Sequence, residues 1–168
     1  MATEDEWAGA YLAQARVDLS GAKLVQSVPS VFAMLLQMAL EKLAKAALLR
    51  SGAIQLEDAR KSHRAASQMV IVLKRQRRFE EKMGGERVWK KALEFIPELE
   101  RAHPSLNHAG PHLEYPFELK DGTVGWPARD LAVANALGDP AKASTGRLVL
   151  EFAGKLSEKF DVIFLHKK

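Results

Sequence analysis

The chain has 168 residues, 47% of them apolar, a formal charge of +4 and no cysteine. That length and apolar share suit one domain with one core, and the missing thiols exclude disulfides, thiolate metal sites, iron–sulfur ligation and cysteine nucleophiles. No uncharged apolar run reaches the roughly 18 residues of a membrane span, and the opening Thr3-Glu4-Asp5-Glu6 is acidic where a signal peptide is basic. The expectation is a cytoplasmic protein without membrane contact; the modest charge permits an acidic partner without demanding one.

Thr3 and Glu6 have the spacing of a capping box, and Trp7, Tyr11, Leu19 and Ala22 recur at helical spacing to about Val25, predicting the first helix. Pro29 suits the first turn of a second helix, whose stretch Val31 to Leu40 is apolar nearly all round before turning amphipathic at Glu41 and Lys42. Such a helix needs neighbours on several sides. It stops at Arg50-Ser51-Gly52, a cation followed by a glycine suited to a left-handed cap. A third helix is predicted from about Asp58 or Ser62 through Phe79, with Ala66, Met69, Val70 and Leu73 inward, interrupted by Gly84-Gly85. Val88, Trp89, Ala92, Leu93, Ile96 and Leu99 continue the pattern, and Pro97 predicts a kink or early end.

From Ala102 to Pro140 the texture changes, with five prolines interleaved with Gly110, Gly122, Gly125 and Gly138. Asp121-Gly122 between two strand-like runs predicts a small β-hairpin, and a short helix is expected over Ala128 to Leu137. Asp139-Pro140 then reads as the cap and first turn of a closing helix that carries Val149, Phe152, Leu156, Phe160 and Ile163. The fold class is therefore all-α, an antiparallel four- to five-helix bundle forming one domain over 1–168. A Pro/Gly-rich insertion at about 102–138 is expected to leave the bundle and to pack Tyr115, Phe117 or Trp126 on helix ends.

One combination of residues is specific: Ala15 with Asp18-Leu19, then Gln37, Ala39, Glu41-Lys42, Lys45-Ala46 and Gly52, then Lys61-Ser62-His63. Together they resemble the HEPN domain family over about the first 75 residues. The resemblance implies a self-associating helical bundle linked to nucleotidyltransferase or toxin–antitoxin systems, with nucleotide or RNA chemistry in some members. On spacing alone, Glu41 and Lys45 form an i, i+4 pair on an exposed face, and Ala39, Ala46 and Ala47 let helices approach closely. His63 either caps a carbonyl or lies in a polar seam between helices.

Ribonuclease members of that family carry an Arg and a His with four to six residues between them, usually with a polar residue just after the Arg. Arg101 and His108 have this spacing, with Ala102 where the polar residue belongs. An Arg can hold a scissile phosphate and a His can move protons near neutral pH, which makes Arg101 and His108 the catalytic candidates. Pro104 opposes their presentation on one continuous helix. His103, His108 and His112, with Glu114, are the densest imidazole cluster, but Gly110-Pro111 breaks any helical pair, so no metal or cofactor is assigned to them. Lys74, Arg75 and Arg78 head the densest basic stretch and are candidates for phosphate contact. Against this, Glu80, Glu81 and Glu86 dilute the charge and Arg77 with Glu81 has ion-pair spacing. Tyr115 and Trp126, with Arg101, are candidates for the rim of an apolar cleft under the insertion.

The function these features favour is that of a non-catalytic HEPN-like partner or interaction subunit in a nucleotide-handling or toxin–antitoxin system. It is expected to form a homodimer through the second helix, where Met34 and Met38 share a face. Its other partners would be a nucleotidyltransferase, a toxin protein, or RNA or a nucleotide. The rival reading is an RNA-cleaving enzyme acting through Arg101 and His108.

Overall fold

The computed structural model describes residues 2–107, 110–138 and 143–164. The first helix, α1 (Glu4–Leu24), opens on the expected capping box: Thr3 Oγ1 accepts from the Glu6 N–H at 3.2 Å and the Thr3 N–H donates to Glu6 Oε2 at 2.6 Å. After a short turn, α2 (Pro29–Arg50) begins with proline in its first turn, where the missing N–H costs nothing. It ends in a Schellman cap. Gly52 takes φ 67°, its N–H reaches Leu49 O at 3.0 Å, and the Ala53 N–H reaches Leu48 O at 2.8 Å.

The stretch predicted as one helix to Phe79 is instead α3 (Leu56–Lys61) and α4 (Ala65–Lys74), followed by 3-10 turns at Arg77–Phe79 and Glu81–Met83. Ser62 adopts an extended backbone and its Oγ accepts from the Arg64 N–H at 3.1 Å, a local bond that competes with helix continuation. The glycine pair after the 3-10 turns has positive φ at both positions and starts α5 (Glu86–Arg101). Of the kink or early end expected at Pro97, the early end does not occur: α5 runs through to Arg101. Its last turn buries Leu99 and Glu100, and the Glu100 carboxylate accepts from both the N–H and the hydroxyl of Ser67 in the first turn of α4. Those contacts offset the helical hydrogen bond that proline removes.

Beyond α5 come a 3-10 turn (Pro104–Leu106) and the expected hairpin, β1 (Phe117–Glu118) against β2 (Val124–Gly125) in antiparallel register, with Phe117 opposite Gly125. Two helices follow, α6 (Pro127–Asp130) and α7 (Ala132–Gly138), split at Leu131, then α8 (Ala143–Glu158) and α9 (Phe160–Phe164). Asp139-Pro140, read as a cap, lies outside the described residues. The insertion leaves the bundle only in part. Leu131, Ala134 and Leu137 are buried, α7 packs on α2 and α8, and Phe117 is buried, whereas Tyr115 and Trp126 are exposed.

α2 is the axle of the architecture. It packs against α1, α4, α5, α7 and α8, so the apolar run from Val31 to Leu40 is covered mainly by its own chain. Leu36, Leu40 and Leu43 meet Met69, Leu73, Ile96, Leu99, Val149, Phe152 and Leu156 in one core. Lys42 ties α2 to α1 by donating to the buried Asp18 at 2.6 Å, and Gln14 holds the other Asp18 oxygen at 3.0 Å. No helix among the described residues is long and apolar enough to cross a membrane.

Candidate functional site: one glutamate and two histidines beside α2

Gln37, Glu41 and Lys45 follow one another at i, i+4 down a helix that is otherwise almost wholly apolar, so they share one face. That face is covered. Glu41 and Lys45 are not on an exposed surface as spacing suggested: their side chains are 12% and 7% exposed, with His63 and His103 beside Glu41 and the Tyr11 ring of α1 beside Lys45. Lys45 Nζ lies 2.8 Å from Glu41 Oε1 and 5.8 Å from the centroid of the Tyr11 ring, and Gln37 Nε2 donates to Glu41 Oε2 at 3.1 Å.

The Ser62-mediated break between α3 and α4 turns His63 toward this ladder, its Nδ1 3.3 Å from Glu41 Oε1. That nitrogen is shielded from solvent yet makes no aligned hydrogen bond, although the ring as a whole is 35% exposed. From the other side comes His103, which caps the Pro104–Leu106 turn: its Nδ1 accepts from the Ser105 N–H at 3.1 Å. That bond puts the proton of the neutral ring on Nε2, which lies 4.0 Å from Glu41 Oε2. The two imidazoles stack, with centroids 4.3 Å apart and planes 20° from parallel.

Burial alone would raise the Glu41 carboxyl. The hydrogen-bonded Lys45 ammonium, the Gln37 amide and the field of His63 outweigh it and hold the group below the usual carboxylate range. Burial pulls the His103 imidazole below its ordinary value, and the Glu41 charge opposes this only in part. Near neutral pH the site therefore presents an anionic carboxylate beside a neutral His103 ring. The donor atoms of Glu41, His63 and His103 all lie within 4.8 Å of one another, a set that could hold a metal ion or relay a proton.

Among the described residues, the catalytic and ligand-binding candidates named from the sequence are not part of this cluster. Arg101 ends α5 with its side chain exposed, and His108 lies outside the described residues. His112 is buried apart from His103, packed edge-on to Tyr115 and accepting the Tyr115 N–H at Nδ1. Lys74, Arg75 and Arg78 are exposed, and Arg78 lies over the Phe79 ring at 4.8 Å. A cleft of about 230 Å³ beside them is lined by Lys74, Arg77 and Lys90 but equally by Glu80, Glu86 and Glu94. Arg77 pairs with Glu80 at 3.6 Å rather than with Glu81. Tyr115 is 60% exposed and Trp126 43%, the latter covered by the Arg129 guanidinium at 3.6 Å.

Sequence reasoning grouped His103 with His108, which lies outside the described residues, and with His112, and did not connect it to His63 and Glu41. The usable signal was Gln37-x3-Glu41-x3-Lys45, a polar ladder on an apolar helix, which implies a polar partner packed over it. No protein-family model matches the chain, and neither does any curated protein or solved structure.

Proposed function

We propose that the protein is a HEPN-like interaction bundle, a non-catalytic subunit that pairs with a second copy of itself and serves a nucleotide-handling or toxin–antitoxin system. The observation that carries the reading is a charge-free strip left on the outer face of the α1–α2 hairpin. Val17, Ser20, Gly21 and Leu24 share one face of α1, while Val31, Met34, Leu35 and Met38 share one face of α2. The two faces adjoin where Gly21 meets Leu35: a Cβ built on Gly21 would lie 3.3 Å from Leu35 Cδ1. Leu24 is 85% exposed and Val17 63%, while Met34, Leu35 and Met38 are half-buried. An apolar strip with small residues at its centre suits a two-fold contact in which hairpin meets hairpin. Four polar residues behind the resemblance, Asp18, Lys42, Glu41 and Lys45, are meanwhile paired with one another or with Gln14 and Gln37, which also favours a scaffold over an enzyme.

Light scattering at micromolar concentration tests the reading. A mass near twice 18.6 kDa is expected, falling to one chain in Leu24→Lys. A single-chain mass that does not change on concentrating would end the pairing hypothesis. Cleavage of labelled RNA by the wild type but not by Arg101→Ala would replace the non-catalytic reading with the ribonuclease one.

A further inference from the structure

We propose that Glu41, His63 and His103 bind one divalent transition-metal ion of the zinc class, through Glu41 carboxylate oxygen, His63 Nδ1 and His103 Nε2. Their donor atoms already lie within 4.8 Å of one another. An ion with bonds of about 2.0–2.1 Å in a tetrahedral arrangement sets its ligands roughly 3.3 Å apart. The His63 Nδ1 to Oε1 separation is 3.3 Å and the His103 Nε2 to Oε2 separation is 4.0 Å; with one donor atom from each residue, the three atoms close on the ion from separations of at most 4.8 Å.

The nitrogen of His63 supplies an independent pointer. It is shielded from water, faces the carboxylate and has no hydrogen bond, the condition in which a shielded nitrogen gains most from a ligand. Each donor is also held from behind by a different part of the chain. Lys45 and Gln37 fix the Glu41 carboxylate, the Ser62 turn fixes His63, and the cap of the Pro104–Leu106 turn fixes His103. Metal sites depend on such supporting bonds to orient their ligands. Two imidazoles and one carboxylate suit Zn²⁺, Co²⁺ or Ni²⁺ rather than Ca²⁺ or Mg²⁺, which take mainly oxygen. Three protein donors leave the fourth position to water, on the side where the His63 ring is open to solvent.

Three features resist the ion, and each can yield. The two imidazoles stack nearly parallel, so the partly exposed His63 ring must rotate to turn both nitrogens toward one point. Lys45 holds one carboxylate oxygen, but a carboxylate has lone pairs enough to keep the ammonium and coordinate as well. Ligation by His103 Nε2 moves its proton to Nδ1, which ends the bond from the Ser105 N–H. Ser105 is exposed, so water takes over that donor.

The full chain, stripped with a chelator, is titrated with Co²⁺ and Zn²⁺. One equivalent of Co²⁺ should give the visible absorption of a four-coordinate ion. One equivalent of Zn²⁺ should shift the Ser105 amide resonance, since its acceptor becomes a donor. His63→Gln and His103→Gln should each weaken binding by at least about tenfold, the scale on which even supporting groups matter. Circular dichroism confirms that the variants remain folded; His63, at the edge of the cluster, is the substitution least able to disturb the bundle. Absence of binding to the wild type, or equal binding in His63→Gln and His103→Gln, overturns the proposal. The outcome is independent of whether the chain pairs with itself, because all three ligands come from one chain.

Discussion

At the scale of single residues, a local knot of hydrogen bonds outside the candidate site ties the hairpin to α6. Arg129 Nε donates to both oxygens of Asp130 at 2.8 Å, Asp130 Oδ2 accepts the Trp126 N–H at 2.9 Å, and an Arg129 terminal nitrogen donates to Val124 O at 3.1 Å. The Arg129 hydrogen bond, ahead of a smaller contrary effect of desolvation and with help from the Trp126 N–H, holds the Asp130 carboxyl below its ordinary value. A carboxyl depressed in the folded state stabilises it above the unfolded value of about 3.9 and loses that contribution as pH falls through the lower, folded value. The knot should therefore be indifferent to pH above about 4 and loosen below it. In an NMR titration the Trp126 amide is expected to hold its shift from pH 7 to pH 5 and to move only under strong acid. Asp130→Asn should abolish the movement, and a Trp126 amide that titrates identically in that variant would contradict the assignment.

At the scale of elements, two glycines on α8 make opposite demands of the same substitution. A Cβ at Gly146 would lie 2.9 Å from Phe32 Cε1 and 3.1 Å from Leu137 Cδ2, where α8 closes on α2 and α7, while at Gly154 it would meet nothing within 4 Å. Alanine lowers the backbone entropy cost of a helix by about 0.5–1 kcal/mol relative to glycine. Overpacking a dense core costs about 1–3 kcal/mol. In urea unfolding Gly154→Ala should therefore raise the midpoint and Gly146→Ala lower it, and a gain in both would refute the close approach. Elements with local signals were readable in advance: the Thr3/Glu6 box, the Gly52 cap and the Asp121-Gly122 hairpin all formed where their chemistry requires. Those decided by tertiary contact were not. Pro97 announced a kink or an early end, and the bonds between Glu100 and Ser67 help to hold the last turn of α5 beyond it. The candidate site escaped for the same reason. Glu41, His63 and His103 are 22 and 40 residues apart in order along the chain, and only the fold around α2 brings them together.

At the scale of the whole molecule, the position of α2 determines how the protein should come apart. α2 touches α1, α4, α5, α7 and α8, and no second core of comparable size exists among the described residues; the remaining cluster comprises only Ala8, Leu49 and Ala59 with a few half-buried neighbours. Removing α2 from its contacts exposes nearly every other helix, so its amides should open only with global unfolding, whereas the four-residue α6 and five-residue α9 can open alone. Native-state hydrogen exchange should then give α2 amides an opening free energy equal to that from denaturant unfolding, with α6 and α9 well below it. Leu40, 1% exposed at the centre of this arrangement, sharpens the test. Leu40→Ala leaves a cavity that costs about 2–5 kcal/mol, a large part of the 5–15 kcal/mol typical of a domain's stability. That loss should appear undiminished in the exchange of amides on α1, α5 and α8, because all three unfold with α2. If instead Leu40→Ala accelerates exchange in α2 alone and leaves α5 and α8 protected as before, the molecule is not one cooperative unit built around that helix.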